Sequence, residues 1–373
     1  MKVAIVHEWL QDYAGSERVL EQMLLCYPSA DLFAVVDFLP DDGRAFLHGR
    51  RPATSFIQRL PFARRMFRRY LGLMPLAVEQ FDLSGYDLVI SNNHAVAKGV
   101  LTGPDTVHVS YVHSPMRYAW DMQHQYLRGA GLDRGLGGIY ARLLLARLRL
   151  WDSRTANGVD QFIANSSYIA RRIHKTYRRE AVVIPPPVDV DRFTPGPGAG
   201  RGDTYLVAAR QVPYKRVDLV AAAFAAMSGR RLLVVGDGPA HAQVRAAAGG
   251  APNITFRPAV PRDELIGLMR AARAFVFAGE EDFGIVLAEA LACGTPVIAF
   301  GRGGARDIVS DATGVFFDEP TPAALVAAVG RFEADPARFT AETCRAAALR
   351  FAPAVFRDRL RLTVDTALAA ARP

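Results

Sequence analysis

The chain has 373 residues, a length that predicts two domains rather than a single hydrophobic core. Hydrophobic residues make up 50% of it and charged residues 22%, which excludes an intrinsically disordered chain, and no apolar run is long enough to predict a transmembrane helix. The net charge of +8 favours anionic partners, namely nucleic acid, phosphorylated small molecules or an acidic membrane surface.

Short apolar, β-branched runs alternate with helix-length segments along the whole chain. This alternation predicts βαβ units, and hence an α/β fold with parallel sheets covered by helices on both faces. In the first half the predicted strands are residues 3–6, 32–36, 88–90, 107–111 and 161–164. In the second half they are residues 205–208, 231–235, 254–256, 274–277 and 296–299.

A proline- and glycine-rich stretch, residues 184–203, interrupts this pattern near the middle of the chain. Such a composition is typical of a linker rather than of a regular element. We therefore predict a first α/β domain over residues 1–190 and a second over residues 200–352. A final helix is expected to begin after Pro353 and to occupy residues 353–373.

The run from Phe62 to Leu71 has four arginines, Arg64, Arg65, Arg68 and Arg69, between apolar residues. On a helix, Phe62, Met66, Phe67 and Tyr70 would share the opposite side from these arginines. Two interpretations are open. The helix would lie in an anionic membrane interface, where each arginine contributes about 1 kcal/mol, or it would pack on the core with a solvated basic face.

A second arginine-rich region, Arg147 to Trp151, predicts a buried helix whose charged ends reach water.

Two glutamates flank a predicted strand–helix junction in the second half. Glu281 precedes a helix expected to begin at about Gly284, and Glu289 lies further along that helix. A helix start offers unpaired backbone N–H groups to a diphosphate or a sugar hydroxyl. Glu281 would accept hydrogen bonds from sugar hydroxyls and Glu289 from a ribose diol, and the alternative is an acidic turn that only caps its helix.

An arginine and a lysine follow the first predicted strand of the second half. Arg210 is a forked donor and Lys215 a point charge, a pair suited to a diphosphate, although such loops are more often simply solvated. Gly236 follows the next strand in a glycine turn that many α/β proteins share. The sequence lacks the G-x-G-x-x-G fingerprint, which argues against a nicotinamide or flavin enzyme.

The first half has two further candidates after predicted strands. Gly15 lies at a predicted helix start, where a ligand could approach the backbone closely. His113 follows the strand at residues 107–111, although a lone histidine is more often structural than catalytic. It opens the run His113-Ser114-Pro115-Met116-Arg117-Tyr118-Ala119-Trp120-Asp121.

Together these motifs resemble glycosyltransferase family 4. The resemblance rests on Glu281 and Glu289 in an E-x7-E pattern, on Phe283-Gly284 at the helix start, and on the Gly-Thr-Pro-Val-Ile ending at Ile298. The run that begins at His113 is similar to one in bacterial mannosyltransferases that build O-antigen and exopolysaccharide. The family implies the GT-B fold, in which an acceptor-binding and a nucleotide-sugar-binding Rossmann-like domain face each other across a cleft, and sugar transfer with retention. By the same analogy, the first domain would bind the acceptor, the second the nucleotide-sugar, and the final helix would cross back to the first domain.

The resemblance also implies roles for single residues. The catalytic residues would be His113, Glu281, Arg210 and Lys215. The donor-binding residues would be Gly15, Arg210, Lys215, Gly236, Phe283, Gly284, Ile285 and Glu289. The acceptor site would include Tyr118, Trp120 and Asp121. The chain departs from the family at Ser16, where relatives often have a second glycine, and the serine side chain disfavours a close phosphate approach there.

The expected donor is GDP-mannose, and the expected acceptor is a glycan or a polyprenyl-diphosphate-linked sugar. The family implies no metal or other cofactor, so we interpret Asp189-Val190-Asp191 as a turn rather than a metal site. The first alternative is a transferase that uses a UDP-sugar, and the second is a non-catalytic basic membrane-binding protein. No nucleic-acid partner is expected.

The compartment follows from two observations. The N-terminus begins directly with a strand-like run and lacks a signal-peptide pattern, and the cysteines Cys26, Cys293 and Cys344 are widely spaced and odd in number. We therefore expect a cytoplasmic protein. Lipid-linked acceptors would place it peripherally at the inner face of the cell membrane.

Overall fold

The computed structural model describes residues 1–196 and 200–371, which form two compact units. Unit 1 comprises Met1–Pro186 and Phe356–Pro373, and unit 2 comprises Pro187–Val355. The chain passes from unit 1 to unit 2 four residues before the predicted end of the first domain. Residues 197–199 of the predicted linker and 372–373 of the predicted final helix lie outside the described residues.

Thirteen strands lie within the described residues. In unit 1 they are β1 (Val3–Leu10), β2 (Asp31–Asp37), β3 (Ala53–Thr54), β4 (Leu88–Asn93), β5 (Val107–Val112), β6 (Gln161–Ala164) and β7 (Ala181–Val183). In unit 2 they are β8 (Thr204–Ala208), β9 (Arg231–Val235), β10 (Ile254–Arg257), β11 (Phe275–Phe277), β12 (Val297–Phe300) and β13 (Gly314–Phe317).

Helices cover both sheets. In order they are α1 (Gly15–Cys26), α2 (Ala63–Met66), α3 (Met74–Glu79), α4 (Gln123–Gly129), α5 (Gly135–Thr155), α6 (Ser167–Tyr177), α7 (Val217–Ala225), α8 (His241–Ala248), α9 (Arg262–Ala271), α10 (Ile285–Ala292), α11 (Ala305–Ile308), α12 (Pro322–Ala334), α13 (Ala341–Ala348) and α14 (Pro353–Ala371). Among the described residues, no helix combines the length and the apolar character needed to cross a membrane.

The sheet of unit 1 is parallel throughout, with strand order β3-β2-β1-β4-β5-β6-β7. Successive side chains of β1 enter different cores, since Val3 and Ile5 pack in one hydrophobic cluster and Ala4 and Val6 in another. A sheet buried on both faces in this way needs near-continuous apolar strands, which explains the runs seen in the sequence. The strand order reverses between β1 and β4.

Unit 2 repeats this architecture with six parallel strands in the order β10-β9-β8-β11-β12-β13. Leu206 and Ala208 of β8 pack in one core, and Tyr205 and Val207 pack in the other. Here the order reverses between β8 and β11. In open parallel sheets, ligands bind beyond the carboxyl ends of the strands at such a reversal, so this edge is where a site is expected.

Every predicted strand is present, and the expectation of an α/β fold with two Rossmann-like domains is confirmed. The strands that the sequence did not predict, β3, β7 and β13, are all edge strands. Edge strands are often short, and a short apolar run cannot be assigned to a strand from its pattern alone. Two of them have only two or three residues.

The final helix, α14, begins at Pro353 as the sequence predicts. Its buried residues Phe356, Leu360 and Val364 belong to a core of unit 1. Arg357 Nη1 donates to Gln22 Oε1 of α1 at 2.5 Å. The helix is therefore part of the packing of unit 1, although unit 2 precedes it in the chain.

The prediction of one amphipathic helix from Phe62 to Leu71 is wrong. Phe62 has a left-handed backbone (φ 56°), α2 ends at Met66, and a 3₁₀ segment, Phe67–Leu73, follows. Phe67 is buried, with its ring centroid 5.5 Å from that of Trp9, whereas Phe62 is 76% exposed. The predicted apolar side is thus divided, because Phe67 packs in the core of unit 1 and Phe62 points into solvent.

Candidate functional site

The loops after β8 and β11 meet at the strand-order reversal of unit 2. Lys215 ends a 3₁₀ turn in the first loop, and Glu281 lies in the second. Lys215 Nζ is 2.9 Å from Glu281 Oε1, and each side chain is 19% exposed. The structure thus joins two residues that the sequence places in separate motifs, 66 positions apart.

Gly279 permits this contact. A Cβ at position 279 would lie 3.0 Å from the Cα of Lys215 and 3.0 Å from the ring of Phe277. A side chain here would require its neighbours, the Lys215 backbone and the Phe277 ring, to shift by a few tenths of an ångström. The backbone of Glu281 is held from the other side, because Gly304 N–H donates to its carbonyl at 2.8 Å.

Arg210 lies in the same loop as Lys215, and its side chain is exposed. Its guanidinium forms no hydrogen bond or ion pair with the described residues, so its donors are available to a ligand. The loop is fixed by Gly236, whose left-handed backbone (φ 117°) would place a Cβ only 2.2 Å from the carbonyl oxygen of Ala209. Gln211 Nε2 also donates to the Gly236 carbonyl at 2.7 Å.

The helix start predicted at about Gly284 is observed, since Gly284 caps α10 with φ 95° and Ile285 is its first residue. Glu289, in the second turn of α10, is only 6% exposed. Phe283 differs from the expectation, because its side chain is 3% exposed and packs against Phe351 in the core. Only the backbone of Phe283 is left for the predicted donor contact.

In unit 1, His113 follows β5 and is held on three sides. Its Nε2 lies 2.6 Å from Oδ1 of Asn92, its backbone N–H donates to the Asn93 carbonyl at 2.8 Å, and Asn165 Nδ2 donates to its carbonyl at 3.0 Å. Burial lowers the pKa of His113 to about 3. The imidazole is therefore neutral and rigidly positioned at neutral pH.

The contact with Asn92 continues into a buried chain of polar groups. Asn92 Nδ2 lies 3.1 Å from His7 Nδ1, and His7 Nε2 lies 3.2 Å from Glu17 Oε1. Since an amide nitrogen can only donate, His7 Nδ1 accepts, and the His7 proton on Nε2 points to Glu17. Since the amide oxygen can only accept, the His113 proton is on Nε2, which leaves Nδ1 as an acceptor.

Gly15 is the first residue of α1, as predicted. However, the adjacent helix start already contains a carboxylate, because Ala14 N–H donates to Glu17 Oε2 at 3.0 Å. Burial raises the pKa of Glu17, but its hydrogen bonds outweigh burial and lower it to about 2. A buried anion beside Gly15 disfavours a phosphate at this helix end, in line with the departure from the family at Ser16.

The predicted acceptor residues lie in the loop between β5 and α4, and their polar groups are largely engaged. Trp120 Nε1 donates to Asp152 Oδ2 at 2.7 Å, and Asp121 pairs with Arg172. Asp152 also forms a fully buried ion pair with Lys98 at 2.8 Å. The Tyr118 hydroxyl is buried without a hydrogen-bond partner among the described residues, and burial raises its pKa.

No cluster of three or more His, Cys, Asp or Glu side chains that could hold a metal ion is found in residues 1–196 and 200–371. Asp189, in the predicted turn, accepts a hydrogen bond from the Arg192 N–H at 3.2 Å through its own side chain. Its carbonyl accepts from Phe193 N–H at 3.0 Å. These local bonds are typical of a turn.

Sequence reasoning did not assign a role to Asn92 or to the pair of His7 and Glu17. A usable signal was present, since His7 and Asn92 are polar residues just beyond the apolar strands predicted at residues 3–6 and 88–90. Both are completely buried, and a buried polar group in a parallel strand needs a hydrogen-bond partner. The hydrogen bond between them depends on the pairing of β1 with β4, which places His7 opposite Asn92. This pairing cannot be read from the sequence alone.

Two family models match most of the chain. Residues 13–192 match Glycosyltransferase Family 4, and residues 197–349 match Glycosyl transferases group 1. The first match falls mainly in unit 1 and the second lies in unit 2. Together they contain every site residue predicted from the sequence, whereas His7 of the buried polar chain precedes the first match.

Curated relatives are similar over part of the chain. A GDP-mannose-dependent alpha-(1-6)-phosphatidylinositol monomannoside mannosyltransferase of Mycolicibacterium smegmatis is 34% identical over 54% of this chain and 60% of its own length. A D-inositol 3-phosphate glycosyltransferase of Segniliparus rotundus is 35% identical over 49% of this chain and 46% of its own. The chain thus spans about half the length of the curated relatives it matches.

Solved structures match the fold over nearly the whole chain. Anabaena HepE in complex with UDP has a TM-score of 0.71 at 18% identity, covering 98% of this chain and 100% of that one. Sucrose-phosphate synthase from Thermosynechococcus elongatus has a TM-score of 0.72 at 18% identity, covering 99% and 100%. With its α/β architecture, its motifs and both family matches in agreement, the chain belongs to glycosyltransferase family 4 and has the GT-B fold.

Proposed function

We propose that the protein is a retaining glycosyltransferase that moves mannose from GDP-mannose to a lipid-linked or glycan acceptor in the synthesis of a bacterial surface polysaccharide. The observation that carries this proposal is the contact of Lys215 with Glu281 at the strand-order reversal of unit 2, beside the free guanidinium of Arg210. This arrangement offers cations to a diphosphate and a carboxylate to sugar hydroxyls within one small region.

In the proposed reaction, the bond between the sugar C1 and the donor phosphate oxygen breaks, and a bond from the acceptor oxygen to C1 forms on the same face. The acceptor proton passes to the leaving phosphate. Arg210 and Lys215 would stabilise the negative charge that grows on the leaving diphosphate, a contribution of roughly several kcal/mol in a water-excluded site. No metal is required in this scheme, because the two cations supply the charge.

The remaining residues would bind and orient the donor. Glu281 would accept hydrogen bonds from the sugar hydroxyls, and Glu289 would accept them from the ribose diol. Gly284 and Ile285 would present backbone N–H groups at the start of α10. In unit 1 we propose that His113 contacts the transferred sugar, and that Nδ1 accepts a hydrogen bond from one of its hydroxyls.

The choice of GDP-mannose is supported by the Mycolicibacterium smegmatis relative, whose name states dependence on that donor. The run from His113 to Asp121 supports it independently. The choice of acceptor is less direct, since the inositol-phosphate transferase of Segniliparus rotundus is equally similar. A peripheral location at the cytoplasmic side of the membrane would give access to a lipid-linked acceptor.

A UDP-sugar is the second candidate donor, and one observation favours it. HepE of Anabaena, which shares the fold over the whole chain, was solved in complex with UDP. The pair of Lys215 and Glu281 suits either donor, because it would contact the diphosphate and the sugar rather than the base.

The test is an assay of sugar transfer, without added metal, from GDP-mannose and from UDP-glucose to a bacterial lipid extract. We expect transfer from GDP-mannose with retention, and a loss of at least about 100-fold in the Arg210→Ala variant. Arg231→Ala is the matched control, because Arg231 is an exposed arginine at the opposite, amino end of β9. Transfer from UDP-glucose alone would overturn the donor assignment, and a fully active Arg210→Ala variant would overturn the role of Arg210.

A further inference from the structure

Helix α5 of unit 1 is apolar on two opposite sides. Its buried side includes Leu145 and Leu148, which pack in a core of unit 1. The side facing away from the core is also apolar, with highly exposed residues Leu136 (85%), Ile139 (55%), Tyr140 (68%), Leu143 (62%) and Leu150 (75%). We call these five residues the outer stripe of α5.

At about 100° per residue, the members of the outer stripe lie within an arc of about 100°, and they extend over about 21 Å along the helix axis. The exposed Arg147 lies in the same arc, between Leu143 and Leu150. The sequence predicted a buried helix from Arg147 to Trp151, which is wrong for Leu150. A surface helix ordinarily presents polar residues to water, so five large apolar residues on one exposed side indicate that something covers them.

A groove runs beside the outer stripe. It has a volume of about 600 Å³ and lies between α5 and the end of the Phe67–Leu73 segment. Tyr140, Leu143 and Trp151 line one wall, and Tyr70 and Leu73 line the other. Gly72 allows the close approach of the two walls, because a Cβ there would lie 3.1 Å from Leu144 Cδ1. The apolar surface therefore continues from α5 across the groove.

Positive charge accompanies this apolar surface, since Arg69 and Arg147 line the groove. Residues 55–79 contain five arginines and one acidic residue, Glu79, and α5 contains four arginines and one aspartate, the buried Asp152. These nine arginines and two acidic residues give the two segments a net charge of +7. In the part of the chain that the structure describes, Arg64, Arg65, Arg69 and Arg147 form no ion pair with a carboxylate.

We propose that the outer stripe of α5, the adjoining groove and their arginines form a surface that docks on a lipid bilayer containing anionic lipids. The apolar stripe would enter the interface while the arginines contact phosphate headgroups. Tyr140 suits this position, since tyrosine is enriched where a surface passes from apolar to aqueous surroundings. The surface differs from the predicted Phe62–Leu71 helix, because its apolar part is supplied mainly by α5.

Charge decides between a bilayer and the other possible occupants. A two-fold dimer through this face would place the same positive surface against itself, and like charges across an interface are unfavourable. Nucleic acid would match the charge but would leave the five apolar residues in water. An anionic bilayer matches both the charge and the apolar stripe.

The test is flotation of the full chain with two vesicle preparations, one of phosphatidylcholine and one of an equal mixture of phosphatidylcholine and phosphatidylglycerol. We expect binding to the mixed vesicles that weakens in about 1 M salt, where charges are screened beyond about 3 Å. Leu143→Asp and Arg147→Glu are each expected to reduce partitioning by about tenfold or more. Leu362→Asp and Arg231→Glu change an exposed leucine and an exposed arginine elsewhere, and they are expected to bind like the wild type.

Equal partitioning of Leu143→Asp and the wild type would overturn the proposal, as would a wild-type protein that remains unbound with the mixed vesicles. Concentration-dependent dimerisation that Leu143→Asp abolishes, without vesicle binding, would identify a second copy of the chain as the occupant and would also overturn it. No donor is present in this experiment, so its outcome is independent of the proposed sugar transfer.

Discussion

Oδ1 of Asn92 lies 2.6 Å from Nε2 of His113, and this single contact determines which nitrogen of the histidine carries the proton. An amide oxygen can only accept, so the proton is on Nε2 and Nδ1 has a lone pair. Asn92 is itself oriented by His7, at 3.1 Å from its amide nitrogen, and by the Ser16 carbonyl at 2.9 Å. The buried polar chain thus makes His113 a hydrogen-bond acceptor for a sugar hydroxyl in the proposed complex.

The first prediction concerns this tautomer. In ¹⁵N-labelled protein at neutral pH, the ring nitrogens of His113 are expected to show a protonated Nε2 and an unprotonated Nδ1. Asn92→Asp is expected to raise the pKa of His113, because a neighbouring carboxylate favours the imidazolium. A His113 ring protonated on Nδ1 in the wild type would contradict the account of the polar chain.

The second prediction concerns stability in mild acid. Burial lowers the pKa of His113 to about 3 and that of His108 to about 4, against about 6.5 in the unfolded chain. The unfolded state therefore binds more protons than the folded state below pH 6.5, and the free energy of unfolding should fall from there towards pH 4. Thermal melts at successive pH values measure this, and a melting temperature that stays constant until below pH 4.5 would contradict it.

The third prediction separates the two roles of Lys215 and Glu281. Lys215→Glu should lower the free energy of unfolding by about 1 kcal/mol, because two carboxylates then face each other at a half-buried position. The double variant Lys215→Glu/Glu281→Lys should regain that stability, since the ion pair is restored with reversed sign. It should not regain transferase activity, because the cation is no longer in the Lys215 loop. Recovery of activity in the double variant would show that the two positions act only as a structural pair.

The fourth prediction uses a pair of glycines in unit 2. Gly279→Ala places a methyl group 3.0 Å from the Cα of Lys215, so the two site loops must separate and nucleotide affinity should fall by about tenfold. Gly267→Ala is the matched control, because Gly267 lies inside α9 with no atom within 4 Å of the added Cβ. It should leave affinity unchanged and stabilise the fold by up to about 1 kcal/mol. If both variants bind nucleotide equally well, the close approach at Gly279 does not shape the site.

The fifth prediction concerns the buried ion pair beneath Trp120. Asp152→Asn removes the carboxylate that Lys98 Nζ contacts at 2.8 Å and leaves a buried cation without its counter-charge. The expected loss is about 3–5 kcal/mol in the free energy of unfolding, measured by urea titration. Asp121→Asn is the control on the same loop, because Asp121 is half exposed and its pair with Arg172 contributes about 1 kcal/mol at most. A loss as small for Asp152→Asn as for Asp121→Asn would mean that the buried pair does not hold the Trp120 loop.

The sequence was sufficient for the fold and for much of the donor region. The apolar strands, the break near residue 190 and the E-x7-E motif identified two α/β domains and placed Gly284 at a helix start, which the structure confirms. These features are local, since each depends on residues close together in the chain.

The features that the sequence did not give depend on tertiary packing. The contact between Lys215 and Glu281 requires β8 and β11 to be neighbours, and that of His7 with Asn92 requires β1 and β4 to pair. Burial of the Phe283 side chain depends on its packing against Phe351 before α10 begins, and exposure of the outer stripe follows from which side of α5 meets a core. An apolar pattern does not distinguish these two sides when both are apolar, as they are in α5.

The most direct test of the central claim is a calorimetric titration of the purified protein with GDP, GDP-mannose, UDP and ADP, without added metal. The account predicts selective binding of GDP, and of GDP-mannose, that is lost in Arg210→Ala and Glu289→Ala and retained in Arg231→Ala. Tighter binding of UDP would contradict the mannose assignment while leaving the Lys215 and Glu281 site intact. Binding of none of these nucleotides would contradict the donor site in unit 2.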